Sequence, residues 1–230
     1  MRSLARPLGV IIAAGGLGTR LGGRVPKQFR SLGSEPVLAA TVRHFVAHPG
    51  VQAVVVAAPA EHVERARRIL GRLCDRVRAG VVAGGPTRQA SVAAALAALP
   101  ADVPLVVVHD AVRPFISRPL IDRVVAAARA TGAAVCALPV VETVKRVREG
   151  RVEATLDRSE LWAVQTPQAF RAELLREAHD KARRDGVLGT DDAMLVERLG
   201  HPVRVVPGSP DNVKITTAAD LARARRRLRA

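Results

Sequence analysis

The sequence predicts an α/β fold: a Rossmann-like, mostly parallel sheet flanked by helices, with a protruding β-hairpin arm. Short Val-rich apolar runs alternate with longer amphipathic segments, as in parallel sheets covered by helices. The apolar runs do not alternate with polar residues, which is typical of strands buried on both faces. One later stretch does alternate, around Glu149-Gly150, and this pattern favours a hairpin.

The predicted strands are apolar runs too short to be ordinary helices. They are Leu8–Ala13, Val51–Ala57, Val77–Ala83, Leu105–Val108, Ala133–Val140 and Val203–Val206. The segments between and after them have apolar residues at helical spacing. The predicted helices are Pro36–Ala47, Ala60–Leu73, Thr87–Ala98, Pro119–Ala130, Arg171–Asp185, Asp191–Leu199 and Thr217–Leu228.

The hairpin stretch, Val141–Thr155, carries too few apolar residues to form a core of its own. We therefore expect an arm that packs on another surface. The domain prediction is one domain over residues 1–230, with the arm at about residues 141–156.

The composition narrows the class of ligand. The formal net charge is +15, which invites a nucleic-acid interpretation. However, the Arg residues are scattered, and aromatic residues make up only 2% of the chain, so no aromatic row is available for stacking bases. We expect no nucleic-acid partner, and we expect a small anionic substrate that the positive field attracts.

The apolar segments and the cysteines also indicate the cellular compartment. No apolar segment is long enough to span a membrane, and the apolar start, Leu8–Ala14, ends in a glycine loop as a buried strand would. Cys74 and Cys136 lie far apart without a metal-ligand motif, so we expect neither a disulfide framework nor a zinc site. The predicted location is cytoplasmic, with no membrane partner.

A glycine-rich loop, Ala13-Ala14-Gly15-Gly16-Leu17-Gly18-Thr19-Arg20, follows the first predicted strand. Such a loop lets backbone N–H groups approach phosphate oxygens. It lacks the Gly-Lys-Ser/Thr ending of a Walker A loop, and Leu21 stands where a dinucleotide fingerprint needs glycine. Arg20 and Lys27 instead supply two cations, which suit a triphosphate whose α-phosphorus is attacked.

Two further motifs follow predicted strands. Gly84-Gly85-Pro86-Thr87-Arg88-Gln89-Ala90-Ser91 is either a turn capped by Thr87 or a base pocket made of backbone groups and Ser91. His109-Asp110-Ala111-Val112-Arg113-Pro114 offers Asp110 either as a Mg²⁺ ligand or as a turn residue. We interpret His109 as a structural neighbour, since no second His or acid lies at ligand spacing.

The second half holds further polar positions. Asp191 and Asp192 open a predicted helix, where a capping role is the plain interpretation. Arg158 and Lys214 each have the chemistry to grip a phosphate, but spacing alone does not assign them.

Taken together, these motifs resemble the 2-C-methyl-D-erythritol 4-phosphate cytidylyltransferase family from about Gly9 to Leu228. The resemblance also rests on Pro26-Lys27-Gln28, on Leu161-Trp162 with Gln165-Thr166-Pro167-Gln168, and on Asp211-Asn212-Val213-Lys214-Ile215-Thr216. It implies transfer of CMP from CTP to a small polyol phosphate, with Mg²⁺ as cofactor. It also implies a homodimer in which the arm reaches over a partner subunit.

The resemblance implies a role for each site residue. Arg20 and Lys27 would stabilise the transition state, and Arg158 and Lys214 would orient the acceptor; these four form the catalytic set. Asp110 would contact Mg²⁺ or the substrate. The remaining substrate-binding residues would be Ala13, Ala14, Gly15, Gly16, Gly84, Gly85, Ser91, Ala111, Arg113, Thr143, Thr166 and Thr190.

Three alternatives remain open. The nearest keeps the chemistry and changes the acceptor to ribitol 5-phosphate. A broader one is a nucleotide-sugar pyrophosphorylase that uses another nucleoside triphosphate. A basic nucleic-acid-binding module would explain the charge but not the cation-bearing glycine loop.

Overall fold

A mixed sheet forms the centre of the protein in a computed structural model that describes residues 7–16, 25–71, 73–74 and 77–228. The strands within these ranges are β1 (Leu8–Ala13), β2 (Ser31–Leu32), β3 (Glu35–Pro36), β4 (Val51–Ala58), β5 (Arg78–Ala83), β6 (Leu105–Asp110), β7 (Ala133–Pro139), β8 (Val144–Arg148), β9 (Arg151–Leu156), β10 (Trp162–Arg171) and β11 (Arg204–Pro207). Seven of them form the central sheet, in the order β11-β7-β10-β6-β1-β4-β5.

The sheet is parallel except for β10, which runs antiparallel to both β6 and β7. The parallel strands therefore end at one edge of the sheet, and the amino end of β10 lies at that same edge. Loops that follow β1, β5 and β6 meet there, as expected for sites in open α/β sheets. The predicted fold class is confirmed.

Helices cover both faces of the sheet. They are α1 (Val37–Val46), α2 (Val63–Gly71), α3 (Arg88–Ala98), α4 (Arg118–Thr131), α5 (Ala172–Arg184), α6 (Asp192–Glu197) and α7 (Ala218–Arg227). Each corresponds to a predicted helix, within a few residues at either end. The capping interpretations are also confirmed: the Thr87 side chain accepts a hydrogen bond from Ala90 N at 3.0 Å, and Asp191 accepts one from Met194 N at 2.9 Å.

The core has two layers, because successive residues of a strand point to opposite faces of the sheet. Val10 and Ile12 of β1 pack in the layer that contains α1, α2 and α4. Ile11 packs with α3, α5 and α6 on the other side. All three side chains are fully buried, which explains why β1 reads as a continuous apolar run. No helix of the described residues is long and apolar enough to cross a membrane.

Strand β10 was not predicted, and its composition explains why. Its centre, Gln165-Thr166-Pro167-Gln168, is polar and contains proline, which usually argues against a central strand. The proline falls where the pairing of β10 with β7 shifts register, between Val164 and Gln168. The polar side chains are satisfied across the sheet edge: the Gln165 amide donates to Ser209 O at 3.0 Å, and that of Gln168 donates to Asp191 at 2.7 Å.

Strands β8 and β9 form the predicted hairpin as a separate two-stranded sheet. Glu149 and Gly150 at its turn both have positive φ, 49° and 75°, as a type I′ hairpin turn requires. The side chains of Val147 and Val152 are exposed. The hairpin therefore leaves apolar surface open in the single chain.

Candidate functional site

The first cavity lies at the carboxyl edge of the sheet and has a volume of about 340 Å³. The loop after β1, the loop after β5 and the loop after β6 supply most of its walls. The predicted site residues that line it are Ala13, Ala14, Gly15, Gly16, Lys27, Gly85, Ser91, Asp110, Ala111 and Lys214. The topology thus gathers residues that are about 200 positions apart in the sequence.

The Gln28 side chain holds the glycine loop after β1 in place. Gln28 is buried, and its side-chain amide donates hydrogen bonds to Ala14 O at 2.6 Å and to Gly16 O at 3.0 Å. These bonds tie the loop to the short helical turn Lys27–Phe29, so Lys27 is held at the cavity wall. Predicted residue Arg20 and the neighbouring positions 17–24 lie outside the described residues.

Two glycine loops close around Ser91. A Cβ atom at Gly15 would lie 2.7 Å from Ser91 Oγ, and one at Gly84 would lie 2.8 Å from it, so larger residues would clash. The Ser91 hydroxyl lies 2.9 Å from Thr87 O, to which it donates. Gly84 is not part of the cavity wall, but its lack of a side chain lets Ser91 approach.

Asp110, the last residue of β6, carries a buried carboxylate that faces three cations. One oxygen lies 2.9 Å from Lys214 Nζ and 3.3 Å from Arg113 Nε, and the other lies 3.7 Å from Arg88 Nε. Burial alone would raise the pKa of this carboxyl, but the charges of Lys214, Arg88 and Arg113 outweigh it and hold the pKa well below its usual range. Asp110 is therefore ionised at neutral pH.

The second cavity adjoins the first and has a volume of about 300 Å³. It shares Arg88, Asp110 and Lys214 with the first cavity, so these residues form the wall between the two. The predicted residues Arg113, Thr166 and Thr190 also line it. The first cavity thus adjoins the glycine loops, whereas the second lies beside β10 and the start of α6.

Asn212 forms hydrogen bonds with two residues that line the second cavity, Thr166 and Arg113. Its buried side-chain amide donates to Thr166 O at 2.7 Å, and its backbone carbonyl accepts a hydrogen bond from Arg113 Nη1 at 2.7 Å. The Thr166 hydroxyl in turn accepts a hydrogen bond from Asp110 N at 3.0 Å. These bonds fix Arg113 and Thr166 relative to Asp110.

Two predicted site residues, Thr143 and Arg158, line neither cavity of this chain. Thr143 is exposed just before β8. Arg158 is exposed after β9 and donates a hydrogen bond to Val141 O. Both lie at the base of the hairpin, one before β8 and the other after β9.

The side chains that could bind a metal ion determine whether the predicted Mg²⁺ fits the first cavity. Among the described residues there is no group of three or more His, Cys, Asp or Glu side chains that could hold a metal ion. Asp110 alone brings a carboxylate to the first cavity wall, as far as the described residues show. One carboxylate fits Mg²⁺ that takes its other ligands from phosphate oxygens and water, and it does not fit a metal held by protein alone.

His109 is a structural residue, as interpreted from the sequence. Its ring is fully buried and packs against Phe45 with the ring centroids 4.9 Å apart. Burial lowers the pKa of His109 to about 3, despite the nearby negative charge of Asp110. The neutral ring lies with Nε2 3.2 Å from Arg113 O, so it stiffens the turn that carries Asp110 and Arg113.

Three contributors to the cavities are not predicted from the sequence, although each lies within one of the motifs described above. They are Gln28, Arg88 and Asn212. The side chains of Gln28 and Asn212 donate hydrogen bonds to backbone carbonyls of other residues, and a sequence pattern does not indicate such bonds. Arg88 follows the capping residue Thr87, and its position in a motif after a strand was the one available signal.

Comparisons with known proteins match one family over nearly the whole chain. The family model for 2-C-methyl-D-erythritol 4-phosphate cytidylyltransferase (IspD) matches residues 8–230. The protein of that name from Solibacter usitatus is 47% identical over 223 residues, covering 92% of this chain and 91% of the relative. The one from Symbiobacterium thermophilum is 49% identical over 215 residues, covering 93% and 89%.

Solved structures show the same likeness. The crystal structure of 2-C-methyl-D-erythritol 4-phosphate cytidylyltransferase from Thermus thermophilus is 39% identical, with a TM-score of 0.79 over 96% of this chain and 98% of that one. The 4-diphosphocytidyl-2C-methyl-D-erythritol synthase of Anaerococcus prevotii is 28% identical, with a TM-score of 0.86 over 98% and 100%.

The charge balance at Asp110 predicts a pH effect on stability. The folded carboxyl has a lowered pKa, so the stability it contributes is present above the unfolded pKa, near 4, and is lost as the pH falls toward the folded pKa. Asp110→Asn should lower the free energy of unfolding at pH 7 by about 3 kcal/mol, because Lys214 and Arg113 lose the carboxylate with which they pair.

Urea unfolding of both proteins between pH 7 and pH 2 measures this effect. Below about pH 4 the wild type should lose stability more steeply than Asp110→Asn, by up to about 1.4 kcal/mol per pH unit. Asp102→Asn, which changes an exposed carboxylate, is the matched control. Parallel curves for wild type and Asp110→Asn would contradict the described charge balance.

Proposed function

The chain belongs to the 2-C-methyl-D-erythritol 4-phosphate cytidylyltransferase family, and we propose that its two adjoining cavities are where that reaction takes place. The enzyme transfers CMP from CTP to 2-C-methyl-D-erythritol 4-phosphate, giving 4-diphosphocytidyl-2-C-methyl-D-erythritol and pyrophosphate. One observation supports this placement above the others: the cavities share the wall formed by Arg88, Asp110 and Lys214. A nucleotide in one and an acceptor in the other would meet at that wall.

In our proposal CTP occupies the first cavity. The triphosphate lies against the backbone of Ala13–Gly16, where N–H groups can donate to phosphate oxygens. The cytosine lies toward Gly85 and Ser91, on the side where Gly84 lets the helix α3 approach closely. Hydrogen bonds from backbone groups and a hydroxyl suit a base that must be distinguished from others.

The acceptor phosphate occupies the second cavity. Lys214 and Arg113 line it, and Thr166 and Thr190 add hydroxyl groups. The guanidinium of Arg113 is already paired with Asp110 and Asn212, so its direction is set before the acceptor arrives. Preorganised cations of this kind orient a phosphomonoester with little entropic loss.

The chemistry is an in-line displacement. An oxygen of the acceptor phosphate attacks the α-phosphorus of CTP and forms a new P–O bond, while the bond from the α-phosphorus to the bridging oxygen breaks and pyrophosphate leaves. Because the substrate supplies the nucleophile, the protein contributes positioning and charge stabilisation. Arg20 and Lys27 would neutralise the charge that builds on the phosphoryl oxygens.

Mg²⁺ belongs to this proposal as the cofactor. Asp110 would be its protein ligand, with triphosphate oxygens and water completing the shell. The ion would supply further neutralisation of the phosphate charge when bound. Lys214, which pairs with Asp110 in the described chain, would then be left to face the acceptor phosphate.

We further propose that the active unit is a homodimer with composite sites. The support is the placement of Thr143 and Arg158 at the base of an arm that lines neither cavity of its own chain. Exposed apolar side chains cluster in sequence on the arm and at the start of β10, which is unusual for a surface that stays in water. They are Val141, Val147, Val152, Trp162 and Val164.

The cytoplasmic location also remains part of the proposal. Cys136 is buried and forms no disulfide. A cysteine kept as a thiol is typical of proteins in a reducing compartment.

An assay of pyrophosphate release tests the activity and the acceptor. Turnover should need CTP, Mg²⁺ and 2-C-methyl-D-erythritol 4-phosphate together. Parallel reactions replace the acceptor with ribitol 5-phosphate, or CTP with ATP, GTP or UTP, and each should be slower. A preference for ribitol 5-phosphate or for another triphosphate would overturn the corresponding assignment, and indifference to every polyol phosphate would overturn the proposed acceptor site.

A mixing experiment tests the composite site. Lys27→Ala and Arg158→Ala should each be nearly inactive alone, because each dimer would lack one group at both sites. After the two variants are unfolded and refolded together, heterodimers should contain one intact site. The mixture should then regain about a quarter of wild-type activity, since half of the dimers are mixed and half of their sites are intact.

Two controls make the mixing result decisive. Each variant refolded alone should stay inactive. A mixture of Lys27→Ala with Lys214→Ala should also stay inactive, because both residues line the cavity of one chain. If the Lys27→Ala and Arg158→Ala mixture shows no recovery although mixed dimers are present, Arg158 does not act on the partner's site.

A further inference from the structure

A chain of hydrogen-bonded side chains, Arg88, Asp192 and His179, extends inward from the wall between the two cavities. Asp192, at the start of α6, is almost fully buried. One of its oxygens accepts a hydrogen bond from Arg88 Nη1 at 2.7 Å, and the other lies 3.0 Å from His179 Nε2 on α5. Asp192 lines neither cavity, but its side chain contacts Arg88, which lines both.

The carboxyl of Asp192 is held in its ionised form. Burial would raise its pKa, but the hydrogen bond from His179 and the charge of Arg88 lower the pKa below its ordinary value. His179 is itself buried, and its Nδ1 atom has no hydrogen-bond partner among the described residues. Because the ionised carboxylate of Asp192 can only accept, His179 donates to it from Nε2.

Arg88 forms ion pairs with two carboxylates at different distances. Its Nη1 atom is 2.7 Å from Asp192, whereas its Nε atom is 3.7 Å from Asp110. The shorter contact is the stronger one, since charge-assisted hydrogen bonds depend steeply on distance. Arg88 is therefore drawn back from Asp110, which leaves Lys214 the closest cation to that carboxylate among the described residues, at 2.9 Å.

We propose that Asp192 is a positioning residue of the transfer reaction: it holds Arg88 in the wall between the nucleotide and the acceptor, and His179 holds Asp192. The proposal rests on the function proposed above. Without the charge of Asp192, Arg88 would move toward Asp110 and compete there with Lys214. Both substrates would then meet a rearranged wall.

Kinetics of four proteins test this coupling: wild type, Asp192→Asn, Arg88→Gln and the double variant. Asp192→Asn keeps the side-chain size and should lower kcat/KM about 10- to 100-fold, the range for losing a hydrogen bond to a charged partner. Arg88→Gln should lower it at least as much. In the Arg88→Gln background, Asp192→Asn should cost no more than about twofold, because its route to the site is already gone.

The cycle separates a positioning role from a merely structural one. If the two losses multiply, so that the double variant is impaired by the product of both, Asp192 does not act through Arg88 and the proposal is overturned. If the wild type itself releases no pyrophosphate, the proposed function fails first. Thermal unfolding of each variant shows whether it is folded at the assay temperature.

Variants of His179 test the proposal even if Asp192→Asn does not fold. His179→Gln retains a donor that can reach Asp192 and should keep activity within a few-fold, whereas His179→Leu should lose about tenfold, and only when Arg88 is present. Asp185→Asn changes an exposed carboxylate near the end of α5 that pairs with Lys181, and it should leave activity unchanged. Equal losses for His179→Leu with and without Arg88 would also overturn the proposal.

Discussion

The carboxylate of Asp110 is the charge around which the rest of the site is arranged. A buried carboxylate is costly unless it is paired, and here three cations from different parts of the chain supply the pairing. Arg88 comes from the start of α3, Arg113 from the turn after β6, and Lys214 from the segment before α7. The need to balance one charge thus brings together the walls of both cavities.

The sheet decides where that charge can lie. Both faces are covered by helices and packed with aliphatic side chains, so polar chemistry is confined to the strand ends. Asp110 ends β6, next to the end of β1 on one side and to β10 on the other. The antiparallel direction of β10 places Thr166 beside Asp110, and the parallel direction of β1 places the glycine loop there. One strand end therefore faces both cavities.

Much of this arrangement could be predicted from the sequence, and what was missed has physical reasons. The strands that are continuous apolar runs were predicted, since burial on both faces leaves a clear pattern. Strand β10 was missed because its polar centre is satisfied by partners such as Ser209, far along the chain. Residues of local motifs, such as Lys27 and Asp110, line the first cavity as the strand-end positions of their motifs suggest. The link from Arg88 to Asp192 spans 104 positions, and a single sequence does not reveal such a pair.

In the proposed site, Arg20 and Lys27 surround the triphosphate, and Asp110 marks the border between the nucleotide and the acceptor. A crystal structure with CTP and Mg²⁺ bound tests this placement. We predict that the triphosphate lies on the Ala13–Gly16 loop, with Arg20 and Lys27 on its oxygens and the α-phosphorus turned toward the wall of Arg88, Asp110 and Lys214. A structure in which Arg20 and Lys27 point into solvent, remote from the nucleotide, would rule out their proposed role in binding the triphosphate.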